Sequence, residues 1–321
     1  MSEAVSELVT TDRGEQSPMP HAAASARSDE LSDWIALLKP RVMTLVVFTG
    51  LIGLLIAPGH LNPVLAFTAV LCIAIAAGAC GAINMWYDRD IDAVMRRTRN
   101  RPIPAGRIEP GAALGYGITL AVGSVVVMGL AVNLTAAAVL ALSIAFYVFV
   151  YTMWLKRRTP QNIVIGGAAG AFPPLIGWAA VTGSVDLVQL ALFAIVFFWT
   201  PPHFWSLALF ANADYQRAGV PMLPVVAGAK ETRRQIVIYT LLLVPLSLLP
   251  WLIGFSGLVY GLAAIVLDIG FLVSVWRVAT DRQDASGVSL TNDAPARTAF
   301  KYSILYLFAL FAALAVDRLA G

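Results

Sequence analysis

The sequence has little charge. Only 13% of its 321 residues are Asp, Glu, Lys or Arg, whereas 59% are hydrophobic and the mean hydropathy is +0.76. Soluble domains carry about 25% charged residues. The composition therefore excludes a water-soluble globular protein and indicates a protein that folds in the lipid bilayer. Membrane lipid is the expected surrounding, and no nucleic-acid partner is expected.

Cysteine and histidine are also scarce. The two cysteines, Cys72 and Cys80, lie eight residues apart in one apolar run, without a CxxC spacing, and are expected to be packing residues. The three histidines are His21, His60 and His203, in the N-terminal segment, an expected external turn and one apolar run. A haem-carrying redox subunit would normally use a facing pair of histidines, and this chain lacks one.

Long runs without a charged residue dominate the rest of the chain. They occupy 42–87, 110–155, 159–185, 187–213, 235–267 and 302–316. A membrane-spanning helix needs roughly 20 apolar residues, so the first two runs cross twice, with turns expected at 58–63 and 133–135. We predict an all-α polytopic membrane protein with a bundle of about nine transmembrane helices. The predicted spans are 36–57, 64–86, 111–131, 135–155, 162–181, 187–210, 235–254, 257–277 and 299–319.

Basic residues predict the orientation of these spans. All of the 22 Lys and Arg residues except Arg318 fall in the N-terminal segment or after an even-numbered span. Basic residues beside spans are retained in the cytoplasm, so the N-terminus is expected to be cytoplasmic and the C-terminus external. Residues 1–33, rich in Ser, Ala and acids, predict a disordered cytoplasmic tail. Residues 34–321 form the predicted membrane domain.

Three oxygen-bearing side chains end the second span. Asn84, Asp88 and Asp92 follow one another at intervals of four residues, so a continuing helix places them on one face. Carboxylates one turn apart repel each other unless a cation lies between them, and hard oxygen donors suit Mg2+. Because Mg2+ is usually held by one or two carboxylates plus substrate phosphates, the pair predicts a phosphorylated substrate. Asp90 points to the opposite face and is expected to pair with a loop arginine.

Basic side chains surround the predicted metal site. Arg97 and Arg101 follow the acidic pair, and Lys156 and Arg157 lie in the next loop on the same side. Guanidinium groups match phosphate oxygens bidentately, so these four residues are expected to bind the phosphates. Alternatively, any one of them serves membrane topology alone, and the acidic pair merely neutralises adjacent arginines.

A second acidic segment, Asn212-Ala-Asp214, follows the sixth span. It lies four spans after the first and therefore on the same side, which suggests two pseudo-repeated halves of four helices. That duplication would place Asp214 opposite Asp88 and Asp92. Facing carboxylates would then clamp a diphosphate through Mg2+ and neutralise it as it leaves.

A charged head at the membrane surface and chemistry among apolar helices suggest an isoprenyl diphosphate. Once the diphosphate departs, the allylic cation requires a dry pocket. The aromatic-rich segment 197–205 would provide one through cation-π contacts. Ordinary core packing is the alternative interpretation of these rings.

Several motifs resemble a known family. The segment 84–106, Asn-x3-Asp-x3-Asp followed by Arg-Thr-x2-Arg-Pro-x-Pro-x-Gly, resembles the first Asp-rich motif of the UbiA family of intramembrane prenyltransferases. The segments 162–174, 200–205 (Thr-Pro-Pro-His-Phe-Trp) and 214–224 are similar to the haem O synthase branch of that family. The similarity covers nearly the whole chain after residue 33.

The resemblance implies Mg2+-dependent transfer of a farnesyl group from farnesyl diphosphate to a vinyl group of haem B, which gives haem O. It implies Mg2+ ligation by Asp88, Asp92 and Asp214, and a bacterial inner membrane location with haem A synthase as the receiver of the product. Many relatives carry a second Asp in the second motif, where this chain has Ala218. His203 is the candidate for contacting haem, with a hydrogen bond inside the bundle as the alternative. Asp268, in the middle of a span, has no assignment.

Two rivals to this interpretation stay open. A secondary transporter would also have pseudo-repeated halves and broken helices, but its charges would lie near the middle of the membrane rather than at one face. The other rival is a UbiA relative with another acceptor, such as a quinone precursor or a chlorophyll-type ring. Composition does not separate it from the haem O synthase branch, and only the resemblance of the second motif, at 214–224, does.

Overall fold

The structure, a computed structural model, describes residues 30–285 and 287–320. Over these ranges the chain is helical, apart from loops and one antiparallel bridge between Gln283 and Ser289. The first span is broken into α1 (Glu30–Leu37) and α2 (Pro40–Leu55), which are bent by 48°. The other spanning helices are α3 (Pro63–Tyr87), α5 (Pro110–Val127, extended by π-helical Met128–Val132), α6 (Leu134–Ala145, extended by π-helical Phe146–Leu155), α7 (Asn162–Gly166) with α8 (Ala168–Thr182), α9 (Leu187–Phe210), α12 (Gly228–Leu252), α13 (Leu258–Ala279) and α14 (Ala294–Ala320). Short helices fill the loops: α4 (Arg89–Val94), α10 (Asn212–Arg217) and α11 (Leu223–Val226).

The predicted all-α membrane bundle is confirmed. Within the described ranges, eight helices are long and apolar enough to cross a membrane, and the bent pair α1–α2 makes a ninth. Two predicted starts are too late: α12 begins at Gly228 and α14 at Ala294, because charged residues extend both helices beyond the apolar run. Residues 1–29 of the predicted tail lie outside the described residues, and α1 begins at Glu30.

The break in the first span has a local cause. Pro40 occupies the first position of α2, and Lys39 before it has left-handed backbone dihedrals, with φ of 54°. Proline lacks the N–H that a continuous helix would use, and it disfavours helical dihedrals in the preceding residue. The break packs closely on α3, where a Cβ on Gly81 would lie 3.2 Å from the carbonyl oxygen of Leu37.

Helices α2 and α8 cross with their backbones in contact. A Cβ on Gly53 of α2 would lie 2.7 Å from the Cα of Pro174 in α8. A Cβ on Gly177 of α8 would overlap the carbonyl oxygen of Gly50. Small residues allow this approach in membranes, where packing rather than hydrophobic burial holds helices together.

Gly177→Ala is expected to destabilise the protein by roughly 1–3 kcal/mol, because the added methyl group overlaps backbone that cannot rotate away. The matched control is Gly115→Ala on α5, where a Cβ meets nothing within 4 Å. Thermal unfolding in detergent, monitored by size-exclusion chromatography, should give a lower midpoint for Gly177→Ala alone. Equal midpoints for the two variants would contradict the proposed backbone contact.

Asp268, unassigned from the sequence, lies in a structural hydrogen-bond network between α12, α13 and α14. Its carboxylate accepts hydrogen bonds from Ser247 Oγ and Tyr306 OH, each at 2.7 Å. A buried carboxylate in a membrane is costly unless it has such partners. The network therefore fastens the last three spans together. The expected packing role of Cys72 and Cys80 is also confirmed, since both are free and buried in α3.

Candidate active site

A cavity of about 570 Å³ lies inside the bundle and reaches the end that carries the loops after α3, α6 and α9, which we call the polar end. Its polar lining includes Lys39, Asn84, Asp92, Arg97, Arg101, Lys156 and Tyr215. Its apolar lining includes Tyr147, Tyr151, Trp199, His203, Phe204 and Phe300. A mostly apolar cavity with a few convergent polar groups is the usual form of a small-molecule site.

The predicted acidic face is formed at the end of α3. Asp88 joins α3 to α4, and the Asp92 N–H donates to the Asp88 carbonyl oxygen at 2.8 Å, so the helical ladder continues across the junction. Asn84 Nδ2 donates to Asp88 Oδ2 at 2.8 Å. Asn84, Asp88 and Asp92 are all buried, with 4%, 0% and 2% of their surface exposed. Buried carboxylates require partners, and the structure provides them.

Two residues from the loop after α6 neutralise Asp88. The Lys156 ammonium donates to Asp88 Oδ2, and a guanidinium nitrogen of Arg157 lies 3.4 Å from Asp88 Oδ1. Arg157 also donates two hydrogen bonds of 2.7 Å to Asp90. The predicted pairing of Asp90 with a loop arginine is therefore confirmed. This hydrogen bonding from Arg157 lowers the pKa of Asp90 below its ordinary value.

Arginines from the loop after α4 reach the other carboxylate and the opposite wall. Arg101 binds Asp92 Oδ2 at 2.7 Å. Arg97 donates a hydrogen bond of 3.4 Å to Tyr215 OH and lies over the Tyr215 ring, 6.0 Å from its centroid. The two polar loops, expected to face each other, are thus connected through Arg97 and Tyr215.

Asp214 does not join the acidic pair. Its carboxylate is bound by Arg217, one turn later in α10, whereas Asp88 is bonded to Asn84 and Lys156, which line the cavity; neither Asp88 nor Asp214 lines the cavity itself. Among residues 30–285 and 287–320, no three His, Cys, Asp or Glu side chains are grouped so that they would hold a metal. The structure therefore brings Asp88 and Asp92 together and leaves the expected three-carboxylate clamp unformed.

Lys39 belongs to the site, although its sequence context indicated only a role in topology. Its ammonium donates to Asn84 Oδ1 at 2.6 Å and lines the cavity. The Lys-Pro pair was the available signal, because a proline at the start of a helix marks a break. Thr152, also missed, accepts a hydrogen bond of 3.2 Å from Asn84.

His203 lies at the apolar side of the cavity between two parallel rings. Its ring centroid is 4.3 Å from that of Trp199 and 4.6 Å from that of Phe300. Nδ1 is 2.7 Å from Ser303 Oγ, whose own hydrogen is donated to the Phe300 carbonyl oxygen. With the Ser303 hydrogen on the Phe300 carbonyl, the Ser303 oxygen is an acceptor for Nδ1–H, and this tautomer leaves a lone pair on Nε2. Both interpretations of His203 are compatible with this geometry, since one nitrogen serves the bundle and the other keeps a lone pair suited to a metal.

Comparisons with known proteins agree with this arrangement. The model of the UbiA prenyltransferase family matches residues 46–305. The chain is 70% identical to the protoheme IX farnesyltransferase of Granulibacter bethesdensis, over 95% of this chain and 96% of that protein. It is 69% identical to the protoheme IX farnesyltransferase of Acidiphilium cryptum, over 89% and 90% of the two chains.

Solved structures share the fold at low identity. A digeranylgeranylglyceryl phosphate synthase superposes with a TM-score of 0.74 and 19% identity, over 91% of this chain and all of that one. A UbiA homologue from Archaeoglobus fulgidus bound to DMAPP and Mg2+ gives 0.65 and 18%, over 88% and 99%. The family match spans most of the sequence, and the chain belongs to the UbiA prenyltransferase family.

Proposed function

We propose that this protein transfers the farnesyl group of farnesyl diphosphate to a vinyl group of haem B and so produces haem O. The observation that carries the proposal is one continuous cavity. At one end Asp92, Asn84 and several basic side chains line it, with Asp88 bonded to Asn84 and Lys156, and at the other it has aromatic rings and His203. The relatives of 56–70% identity, all named protoheme IX farnesyltransferase, support haem as the acceptor.

Asp88 and Asp92 are the proposed ligands for Mg2+, with Asn84 as a further oxygen donor. Their oxygen chemistry fits this ion, which usually keeps one or two carboxylates and completes its shell with substrate phosphates and water. When bound, Mg2+ would stabilise the negative charge of the leaving diphosphate. Asp214 is retained as a proposed third ligand, and it would have to leave Arg217 first.

The basic residues have two successive roles in this proposal. In the structure Lys156 and Arg101 neutralise Asp88 and Asp92. When the substrate complex neutralises these carboxylates instead, both cations become available to the diphosphate, together with Arg97 and Arg157. Donors positioned around a leaving group stabilise the charge that develops as its bond breaks.

The apolar side of the cavity serves the carbon chemistry. The bond from the farnesyl carbon to oxygen breaks, and the diphosphate leaves with the electron pair. The vinyl π electrons form the new carbon–carbon bond, and water then adds to the resulting cation and loses a proton, which gives a hydroxyethylfarnesyl substituent. Trp199 and Phe204 line the cavity where they would exclude other water and stabilise positive charge.

The location follows from the same features. We place the polar end at the cytoplasmic face of a bacterial inner membrane, because nearly all Lys and Arg residues flank it. The N-terminus is then cytoplasmic and the C-terminus external. A haem A synthase is the proposed receiver of the product.

One assay tests the proposal. Membranes containing the protein, given haem B, farnesyl diphosphate and Mg2+, are expected to form a more hydrophobic haem, identified by chromatography and mass. EDTA should stop the reaction, and excess Mg2+ should restore it. Membranes without the protein are the control. Unchanged haem alongside a prenylated aromatic acid would instead indicate a quinone precursor as the acceptor.

A further inference from the structure

A second opening lies on the outside of the bundle, between α2 and α14. This groove encloses about 550 Å³ and is lined chiefly by Thr44, Leu45 and Phe48 on one wall and Lys301, Ile304 and Phe308 on the other. Phe48 stacks on Phe308 with ring centroids 4.4 Å apart, and both rings line the groove. The groove is therefore apolar along its length and charged only at its polar end.

The groove borders the active-site cavity. Thr44, Leu45 and Ile304 line both. Ile304 and Lys301 lie on one face of α14, three residues apart. A molecule bound in the groove would consequently lie beside the cavity that His203 lines.

Two cations whose side chains have no partner among the described residues lie beside the groove and the cavity. Arg41 lines the cavity from α2, and Lys301 lines the groove from α14. Both side chains are exposed, and neither makes an ion pair or hydrogen bond with any other residue of the described ranges. In contrast, Lys156 and Arg101, deeper in the cavity, are each bound to a carboxylate. Within the described ranges, the positive charges of Arg41 and Lys301 are thus not neutralised by an acidic side chain.

We propose that Arg41 and Lys301 bind the two propionate groups of the haem acceptor at this opening, an inference that rests on the proposed function. Haem carries both carboxylates on one edge of the macrocycle and its vinyl groups towards the opposite edge. An anchor at the groove mouth therefore turns the vinyl edge inward, towards the farnesyl group. Arg41 and Lys301 are positioning residues for the acceptor, and they select a flat apolar molecule with paired carboxylates.

The test uses the full chain, purified in a neutral detergent, with Arg41→Gln, Lys301→Gln and the double variant. The matched control is Arg277→Gln, which removes an exposed cation at the end of α13, outside both cavities. The KM for haem, at saturating farnesyl diphosphate, and the Kd from absorbance titration are measured. Each single variant is expected to raise both constants roughly threefold and the double variant about tenfold, as for partly exposed ion pairs. The KM for farnesyl diphosphate should not change.

Haem dimethyl ester separates charge recognition from packing. The wild-type protein should bind the ester about as weakly as the double variant binds haem, and the double variant should lose nothing further with the ester. An unchanged haem Kd in the double variant, or an equal loss for haem and its ester, would overturn the inference. Activity is also compared with and without phosphatidylglycerol vesicles. If the double variant differed from the wild-type protein only in losing a stimulation by these vesicles, the two cations would bind a lipid headgroup and the inference would be overturned. Wild-type protein that binds haem but does not farnesylate it would instead refute the proposed function.

Discussion

Replacing Asp88 with Asn is expected to lower kcat for farnesyl transfer by roughly 10²–10³-fold, the loss typical when one group that stabilises transition-state charge is removed. Asn keeps the shape of the side chain and its hydrogen bond to Asn84 but not its charge. Because Asp88 is fully buried beside Lys156 and Arg157, no solvent replaces that charge. Product haem is measured by chromatography under the assay described above.

Asp90→Asn is the matched control for this substitution. Asp90 lies two residues away and shares Arg157 with Asp88, but its side chain is 62% exposed. Exposed ion pairs contribute about 0–1 kcal/mol, so Asp90→Asn should remain nearly as active as the unmodified protein. Equal activity of the two variants would exclude Asp88 from the metal and diphosphate site.

Folding must be separated from catalysis in the Asp88 variant. Breaking one side of a buried ion pair costs about 3–5 kcal/mol, because the other charge is left without a partner. The double variant Asp88→Asn with Lys156→Met removes both charges and is expected to recover part of the thermal stability while remaining inactive. Recovered activity in that variant would show that Asp88 acts only on stability.

Lys156→Met is expected to reduce kcat/KM for farnesyl diphosphate by about 10²-fold, through loss of a cation that would stabilise the leaving group. Burial alone would lower the pKa of Lys156, but the neighbouring Tyr151 and Asp88 raise it above its ordinary value. The ammonium group is therefore charged at neutral pH. Lys156→Arg should retain more activity than Lys156→Met, although a guanidinium group does not replace a compact ammonium group fully.

Arg158→Met is the control for Lys156. Arg158 lies two residues later in the same loop, is exposed, and does not line the cavity. Steady-state kinetics with varied farnesyl diphosphate should give wild-type constants for Arg158→Met. If both variants lost activity equally, the loop rather than the Lys156 ammonium group would be the cause.

The positions of the spans could be predicted from the sequence because hydropathy is a property of each segment alone. Charge-free runs of suitable length end near the surface of the membrane. The predicted span 187–210, for example, coincides with α9 (Leu187–Phe210). The predicted start at 235 failed for α12, since Lys230, Glu231 and Arg233 continue the helix into the polar loop. Hydropathy detects the edge of the apolar layer, not the last helical hydrogen bond.

Contacts between distant segments could not be predicted in the same way. Lys39 reaches Asn84 across 45 residues, and only packing of the first span on α3 brings them together. The partner of Asp214 in the structure is a local one. Arg217, three residues later and on the same side of the helix, binds the carboxylate that a Mg2+ ion shared with Asp88 and Asp92 would otherwise bind. A single sequence does not reveal which of two such partners prevails.

The direct backbone contact between α2 and α8 restricts how the interior can change its volume. At Gly50, Gly53 and Gly177 the two backbones are in direct contact. No side chain lies between them that could change its rotamer, so the distance between these helices is fixed by backbone atoms. The opposite flank of α2 meets α14 through long side chains such as Phe48 and Phe308, which are able to rotate. A bulky acceptor would accordingly be accommodated more easily between α2 and α14 than between α2 and α8.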